Sequence, residues 1–164
     1  MKSNLILTGM PGAGKSTIGV ILAKVLGYDF IDIDIRIAKR QGMPLQEIIN
    51  QKGVEAFLQV EEQEALLLQA DKTVIATGGS MVLSDPAMTH LKQDGTCIYL
   101  DIPLGVLERR LHNMKTRGIA ATPGTTLEDI YNTRKAYYER YADRTIHCGT
   151  LSTEEVVAEI AQLI

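Results

Sequence analysis

The stretch Asn4-Leu5-Ile6-Leu7-Thr8-Gly9-Met10-Pro11-Gly12-Ala13-Gly14-Lys15-Ser16-Thr17, continued to Gly27, decides how the rest of the chain is read. Residues 4–8 form a short apolar run closed by glycine, the pattern of a strand buried on both faces of a parallel sheet. From Lys15 onward Ile18, Ile21, Leu22, Val25 and Leu26 recur at helical spacing, and Gly27 supplies the stop. Between strand and helix, Gly9 to Ser16 fits G-x-x-x-x-G-K-[ST] without a gap, so both parts of the structural context that this phosphate-loop motif requires are present. Glycines let the backbone wrap around phosphate oxygens with successive N–H groups turned inward, and the helix N-terminus adds a favourable dipole. Gly12, Ala13, Gly14, Lys15, Ser16 and Thr17 are the expected nucleotide-binding set, with Lys15 reaching the β and γ phosphates and Ser16 ligating Mg²⁺.

Outward from this unit the chain alternates. Tyr28 to Ile33 reads as a second strand, followed by a polar helix to Gln41 and a break at Gly42-Met43-Pro44. Helices are expected over Pro44 to Gln51 and Val54 to Ala70, the latter with an apolar stripe of Phe57, Val60, Ala65 and Leu68 and with Glu61, Glu62 and Glu64 solvated. Thr73 to Ala76 is a strand, Asp85-Pro86 has the chemistry of an N-cap and first helical position, and Thr96 to Leu100 is a fourth strand. Pro103 opens a helix to about Met114. Lys115 to Thr125, with Gly118, Pro123 and Gly124 and no apolar period, reads as a mobile loop. A helix from Thr126 to Asp143, a short strand at Thr145 to His147 and a last helix opened by the capping box Ser152…Glu155 complete the chain. Strands alternating with helices imply an α/β fold, a parallel sheet covered on both faces.

At 164 residues, 45% hydrophobic and 23% charged, the chain has the size of one α/β domain, spanning 1–164. No apolar run reaches membrane-spanning length and the N-terminus lacks a secretory signal, so a soluble, cytoplasmic protein is expected. Cys97 and Cys148 can build neither a disulfide framework nor a zinc ribbon, and His90, His112 and His147 lack metal-ligand spacing. A net charge of −3 argues against nucleic acid or an anionic membrane as partner. Residues 109–144 nevertheless hold eight Lys/Arg against four Asp/Glu, which fits either a local anionic ligand or a solvated helix face.

A GTPase would need a base-reading N-K-x-D, which is absent, and the length suits a small-metabolite kinase better than a motor ATPase. Phe30-Ile31-Asp32-Ile33-Asp34, Phe57-Leu58-Gln59-Val60-Glu61, Ala76-Thr77-Gly78-Gly79-Ser80 and Arg134-Lys135-Ala136-Tyr137-Tyr138, in this order behind the phosphate loop, resemble the shikimate kinase family over nearly the whole chain. The resemblance implies a P-loop three-layer α/β/α fold of nucleoside-monophosphate-kinase type, with a five-stranded parallel sheet, a mobile lid at about 112–124 and acceptor-binding helices at about 34–60. It also implies ATP and Mg²⁺ as cofactors and a small hydroxylated acceptor, with shikimate converted to shikimate 3-phosphate; a monomer is the default. Residue by residue, Asp32 resembles the carboxylate that holds the magnesium shell and Asp34 the one that contacts the acceptor hydroxyl. Gly78, Gly79 and Ser80 resemble the substrate-side glycine turn, Arg110 the adenine-side arginine, Arg117 the lid arginine that stabilises the transferring phosphate, and Arg134 an arginine that binds the substrate carboxylate. Chemistry agrees: a carboxylate near the γ-phosphate can orient or deprotonate a hydroxyl, and a mobile cation answers the charge that spreads over the phosphoryl oxygens. Lys15, Asp34 and Arg117 are thus the expected catalytic residues.

The chain departs from the family at three places. Ser80 stands where a third glycine is usual, and Arg117-Gly118-Ile119 lacks the proline that commonly follows the lid arginine. Leu58 replaces the arginine that, with the residue matching Arg134, clamps the shikimate carboxylate; Arg36 is a candidate substitute. Losing one charge-assisted partner costs about 1.5–3 kcal/mol. Three readings therefore stand: a shikimate kinase with a rearranged acceptor site, a kinase of the same build for another hydroxy acid or polyol, and a nucleotide-binding regulatory domain without turnover.

Overall fold

Five short apolar segments separated by helices give a fully parallel sheet in the order β2-β3-β1-β4-β5 in the computed structural model, which describes residues 1–111 and 118–164. In chain order the elements are β1 (Asn4–Thr8), α1 (Lys15–Leu26), β2 (Asp29–Asp32), α2 (Ile33–Gln41), α3 (Leu45–Lys52), α4 (Val54–Leu66), β3 (Thr73–Ala76), a 3-10 turn (Met81–Leu83), α5 (Asp85–Asp94), β4 (Gly95–Asp101), α6 (Leu104–Arg110), α7 (Leu127–Tyr141), β5 (Arg144–His147) and α8 (Thr153–Gln162). The α/β expectation and the strand count hold. Only α1 carries the chain leftward in the sheet order; every later crossover runs rightward. Right-handed crossovers then put α1 on one face, where it meets α8, and α5 and α7 on the other.

β1 lies at the centre and is buried at all five positions, which its unbroken apolar run requires. Ile6, Leu7, Ile75, Ile98 and Leu100 pack from neighbouring strands into one contiguous core, with Tyr99 stacked on Tyr138 at 5.2 Å between ring centroids. At Gly19 a Cβ would lie 2.7 Å from the Phe30 ring, so α1 needs a glycine there to approach the sheet this closely. Cys97 and Cys148 are buried free thiols. Among the described residues no helix is long and apolar enough to cross a membrane.

Three local readings need correction. β2 stops at Asp32 because the Asp32 carboxylate caps α2, accepting from the Ile35 N–H at 3.2 Å, so Asp34 stands in the first turn of a helix and not on a strand end. α5 is capped by Ser84, whose hydroxyl accepts from the Ala87 N–H at 3.1 Å, which makes Asp85 the first helical residue instead of the cap. α4 ends at Leu66, short of Ala70. The lid lies partly outside the described residues, as do the stretch to Met114, His112 and Arg117; Gly118 to Thr125 is irregular, with Ile119 and Ala120 buried. The capping boxes at Thr126…Asp129 and Ser152…Glu155 both close.

Candidate active site

A cavity of about 430 Å³ opens at the carboxyl ends of the strands, lined by segments that follow β1, β2 and β3 and by residues of α4, α6 and α7. This is where open parallel sheets place their ligands, because the helix N-termini and the irregular turns that can reach a ligand collect there.

The loop after β1 is held by its own side chains. Gly12 and Gly14 adopt φ of 82° and 92°, left-handed conformations that only glycine takes without strain, and Gly14 leads directly into α1. Lys15 Nζ donates to the carbonyls of Gly9 (2.7 Å) and Met10 (2.8 Å), and it is buried. Burial pulls its pKa down to about 8, against the attraction of Asp34. Ser16 Oγ donates to Asp32 Oδ2 at 2.5 Å, so the helix cap of α2 and the hydroxyl that opens α1 form one pair of hard oxygen donors at the phosphate loop. Arg110 is exposed and reaches the Gly12 carbonyl at 3.0 Å. A second, smaller cavity of about 150 Å³ shares Gly14, Thr17 and Arg110 with the first and is otherwise lined by groups such as Ile18, Ile102 and Val156.

The opposite wall is acidic and incompletely paired. Asp34 Oδ1 and Glu61 Oε2 are buried and have no hydrogen-bond partner among the described residues. Both face Gly78: a Cβ there would lie 2.5 Å from Glu61 Oε2 and 2.8 Å from Asp34 Oδ1. Burial raises Asp34 to about 6, against the pull of Lys15, and Glu61 to about 7, against the Ser80 hydroxyl that donates to its Oε1 at 2.7 Å. Arg134, 4% exposed, anchors one amino group on the Ala120 carbonyl at 2.7 Å and places the other 3.3 Å from the position a Gly79 Cβ would take. Tyr138 donates to the Gly79 carbonyl at 2.6 Å and so fixes the glycine turn from α7.

The sequence-derived residues Gly12, Gly14, Lys15, Ser16, Thr17, Asp34, Gly78, Gly79, Ser80, Arg110 and Arg134 all line this one cavity, and Asp32 and Ala13 support it from the loop and the helix cap. Leu58 does not line it; it is half-buried against the core. Arg36 is turned away, donating to Glu64 at 2.8 Å beside Arg40 at 2.7 Å. Arg117 lies outside the described residues. Glu61 and Glu64, expected to be solvated, are 2% and 3% exposed, and Glu62 accepts from Ser84. The signal for Glu61 was its position four residues after Phe57 and four before Ala65, in the middle of the buried stripe. Tyr138 is the other functional residue that spacing alone does not single out.

The shikimate kinase family model matches residues 11–164. The chain is 36% identical over 160 residues to the shikimate kinase of Thermodesulfovibrio yellowstonii, covering 96% of this chain and 92% of that protein. It superposes on a shikimate kinase from Acinetobacter baumannii, solved in complex with shikimate, with a TM-score of 0.90 at 30% identity, covering 98% of this chain and 92% of that one. It is also 38% identical over 158 residues to human threonine synthase-like 1, covering 95% of this chain but only 21% of that protein, so it spans about a fifth of the length of these relatives. A matching family model, a full-length relative and a superposable fold together place the chain in the shikimate kinase family.

Proposed function

We propose that this chain transfers the γ-phosphoryl group of ATP to a hydroxyl of a small hydroxylated carboxylate. The observation that carries the reading is the meeting, in one cavity, of a phosphate loop bearing Lys15 with a wall bearing the unpaired Asp34 Oδ1 and the Arg134 guanidinium. Lys15 would exchange its carbonyl partners for phosphate oxygens, and the smaller cavity beside Arg110 would take the adenine. Ser16 Oγ and Asp32 are hard oxygen donors that would hold Mg²⁺, which would supply positive charge to offset that of the phosphates. Asp34 orients the acceptor hydroxyl and takes its proton as the oxygen–phosphorus bond forms and the bond to the ADP oxygen breaks. Arg134 holds the carboxylate, and Arg117 is proposed as the cation that closes on the transferring group.

Shikimate is the acceptor that family membership suggests. A specific observation favours a second reading within the same chemistry, a different hydroxylated acid. Leu58 faces the core and Arg36 is paired with Glu64, so among the described residues Arg134 is the guanidinium at the acceptor end. The test is ADP release with ATP and Mg²⁺, with and without shikimate, in wild type and in Leu58→Arg. Saturable turnover of shikimate by the wild type supports the first acceptor. An inactive wild type with an active Leu58→Arg supports the second, and no ADP release with shikimate or any hydroxy acid in either protein contradicts the kinase reading.

A further inference from the structure

We propose that the acceptor carries a protonated amine as well as a carboxylate and a hydroxyl, and that Glu61 Oε2 is the group that receives it: the substrate class is a small hydroxylated amino acid. The inference rests on the kinase reading and narrows its acceptor. It starts from a buried carboxylate with one oxygen in use. Glu61 Oε1 is held by the Ser80 hydroxyl, whereas Oε2 is aimed at the acceptor end of the cavity with no partner and no cation in ion-pair contact among the described residues. Removing a carboxylate from water without a partner is costly enough that such an oxygen needs either a proton or a cationic ligand.

The other charges facing Glu61 are Asp34, which opposes its ionisation, and Arg134 and Lys15, which favour it. Both cations have other work once ligands bind. Lys15 goes to phosphate, and Arg134 goes to the acceptor carboxylate. Glu61 is then left facing Asp34 with no compensating charge. Leu58 lies three residues before Glu61 on α4, within side-chain reach, and an arginine there would supply an internal counter-ion. This chain has none at that position, so a cation that replaces the proton on Glu61 has to come with the substrate. An ammonium does this, and the three charged groups of the wall then read three substrate groups: Asp34 the hydroxyl, Arg134 the carboxylate and Glu61 the amine. Ser80, in place of a third glycine, provides the hydroxyl that holds Glu61 Oε1 and leaves Oε2 unpaired beside Gly78.

The experiment compares acceptors that differ only in the amine: L-serine against 3-hydroxypropionate, and L-homoserine against 4-hydroxybutyrate, with shikimate alongside. ADP release with ATP and Mg²⁺ gives KM for each. The expected result is a KM about 10- to 100-fold lower for the amino acid than for its deamino partner in at least one pair. That ratio should collapse toward one in Glu61→Gln, which keeps the volume and a partner for Ser80. It should also collapse in Leu58→Arg, which installs the counter-ion. Because the readout is a ratio, a general loss of activity in a variant does not imitate the effect. Equal KM values within each pair, or a gap that survives both substitutions, would overturn the inference and leave the kinase reading standing. Turnover of shikimate alone would do the same. No ADP release with any acceptor would overturn the kinase reading itself.

Discussion

The two walls of the cavity are built on opposite principles. On the phosphate side the polar groups satisfy one another: Lys15 is tied to two backbone carbonyls, Ser16 to Asp32, and Asp32 in turn to the start of α2. On the acceptor side two buried carboxylate oxygens, on Asp34 and Glu61, are left open, within 3 Å of the same point at Gly78. A self-satisfied loop folds without its ligand and exchanges partners when the ligand arrives. An unsatisfied wall is less stable alone and selects a ligand that completes it. The general chemistry therefore sits on the first wall and the specificity on the second.

The comparison can be broken most directly at Asp34, the group that joins the two walls. Asp34→Asn should lower kcat by about 10²–10⁴-fold, and in the wild type kcat/KM should fall tenfold per pH unit below about 6, where the Asp34 carboxylate takes up a proton. A pH–rate profile with no acid limb would separate Asp34 from proton transfer. On the other wall, Lys15→Ala should cost about 10²–10³-fold in kcat, read from steady-state kinetics with the fold checked by circular dichroism.

The unsatisfied wall also predicts a pH dependence of stability. Glu61 is raised from 4.5 to about 7 in the folded chain, so between those values the folded state holds a proton that the unfolded state releases. Stability conferred by protonated Glu61 is therefore full below about pH 4.5 and is lost as pH rises through about 7, by on the order of 3 kcal/mol. Urea titrations of the ligand-free protein should show this decline, and Glu61→Gln should flatten it. Gly78→Ala sharpens the contrast further: the new Cβ would meet Glu61 Oε2 at 2.5 Å and Asp34 Oδ1 at 2.8 Å, both at the ends of movable side chains. The fold should survive while acceptor KM rises by about tenfold, the effect of one displaced hydrogen-bonding group, and ATP KM stays near wild type. The smallest effect is expected away from the acceptor wall: Ser152→Ala removes the α8 cap and should cost about 1 kcal/mol in thermal or urea unfolding with no change in acceptor KM.

The phosphate wall was readable because its determinants are contiguous. Eight residues in a row, a strand before and a helix after, leave little to the tertiary structure. The acceptor wall was readable only in pieces. Asp34 and Arg134 emerge from family resemblance, and a strand read through Ile33 misses that the Asp32 side chain ends the strand by capping a helix. Glu61 reads as part of a solvated acidic face, since a run of Glu on a helix gives that impression; its hydrogen-bonding partner, Ser80, sits in a distant turn. The same holds for Glu64, whose partners Arg36 and Arg40 lie on α2, an arrangement that also removes Arg36 from the acceptor end. Pairings between separate elements have no signature in a single local window, whereas burial periodicity does, and Glu61 obeys it.

The central claim, that the two walls act together in phosphoryl transfer, is tested most directly by phosphorus NMR of the protein with ATP, Mg²⁺ and the acceptor set. The account predicts that the γ-phosphate signal is replaced by ADP and a phosphomonoester resonance whose formation requires both acceptor and Asp34. Loss of ATP to inorganic phosphate alone, or a phosphomonoester formed equally well by Asp34→Asn, would contradict it.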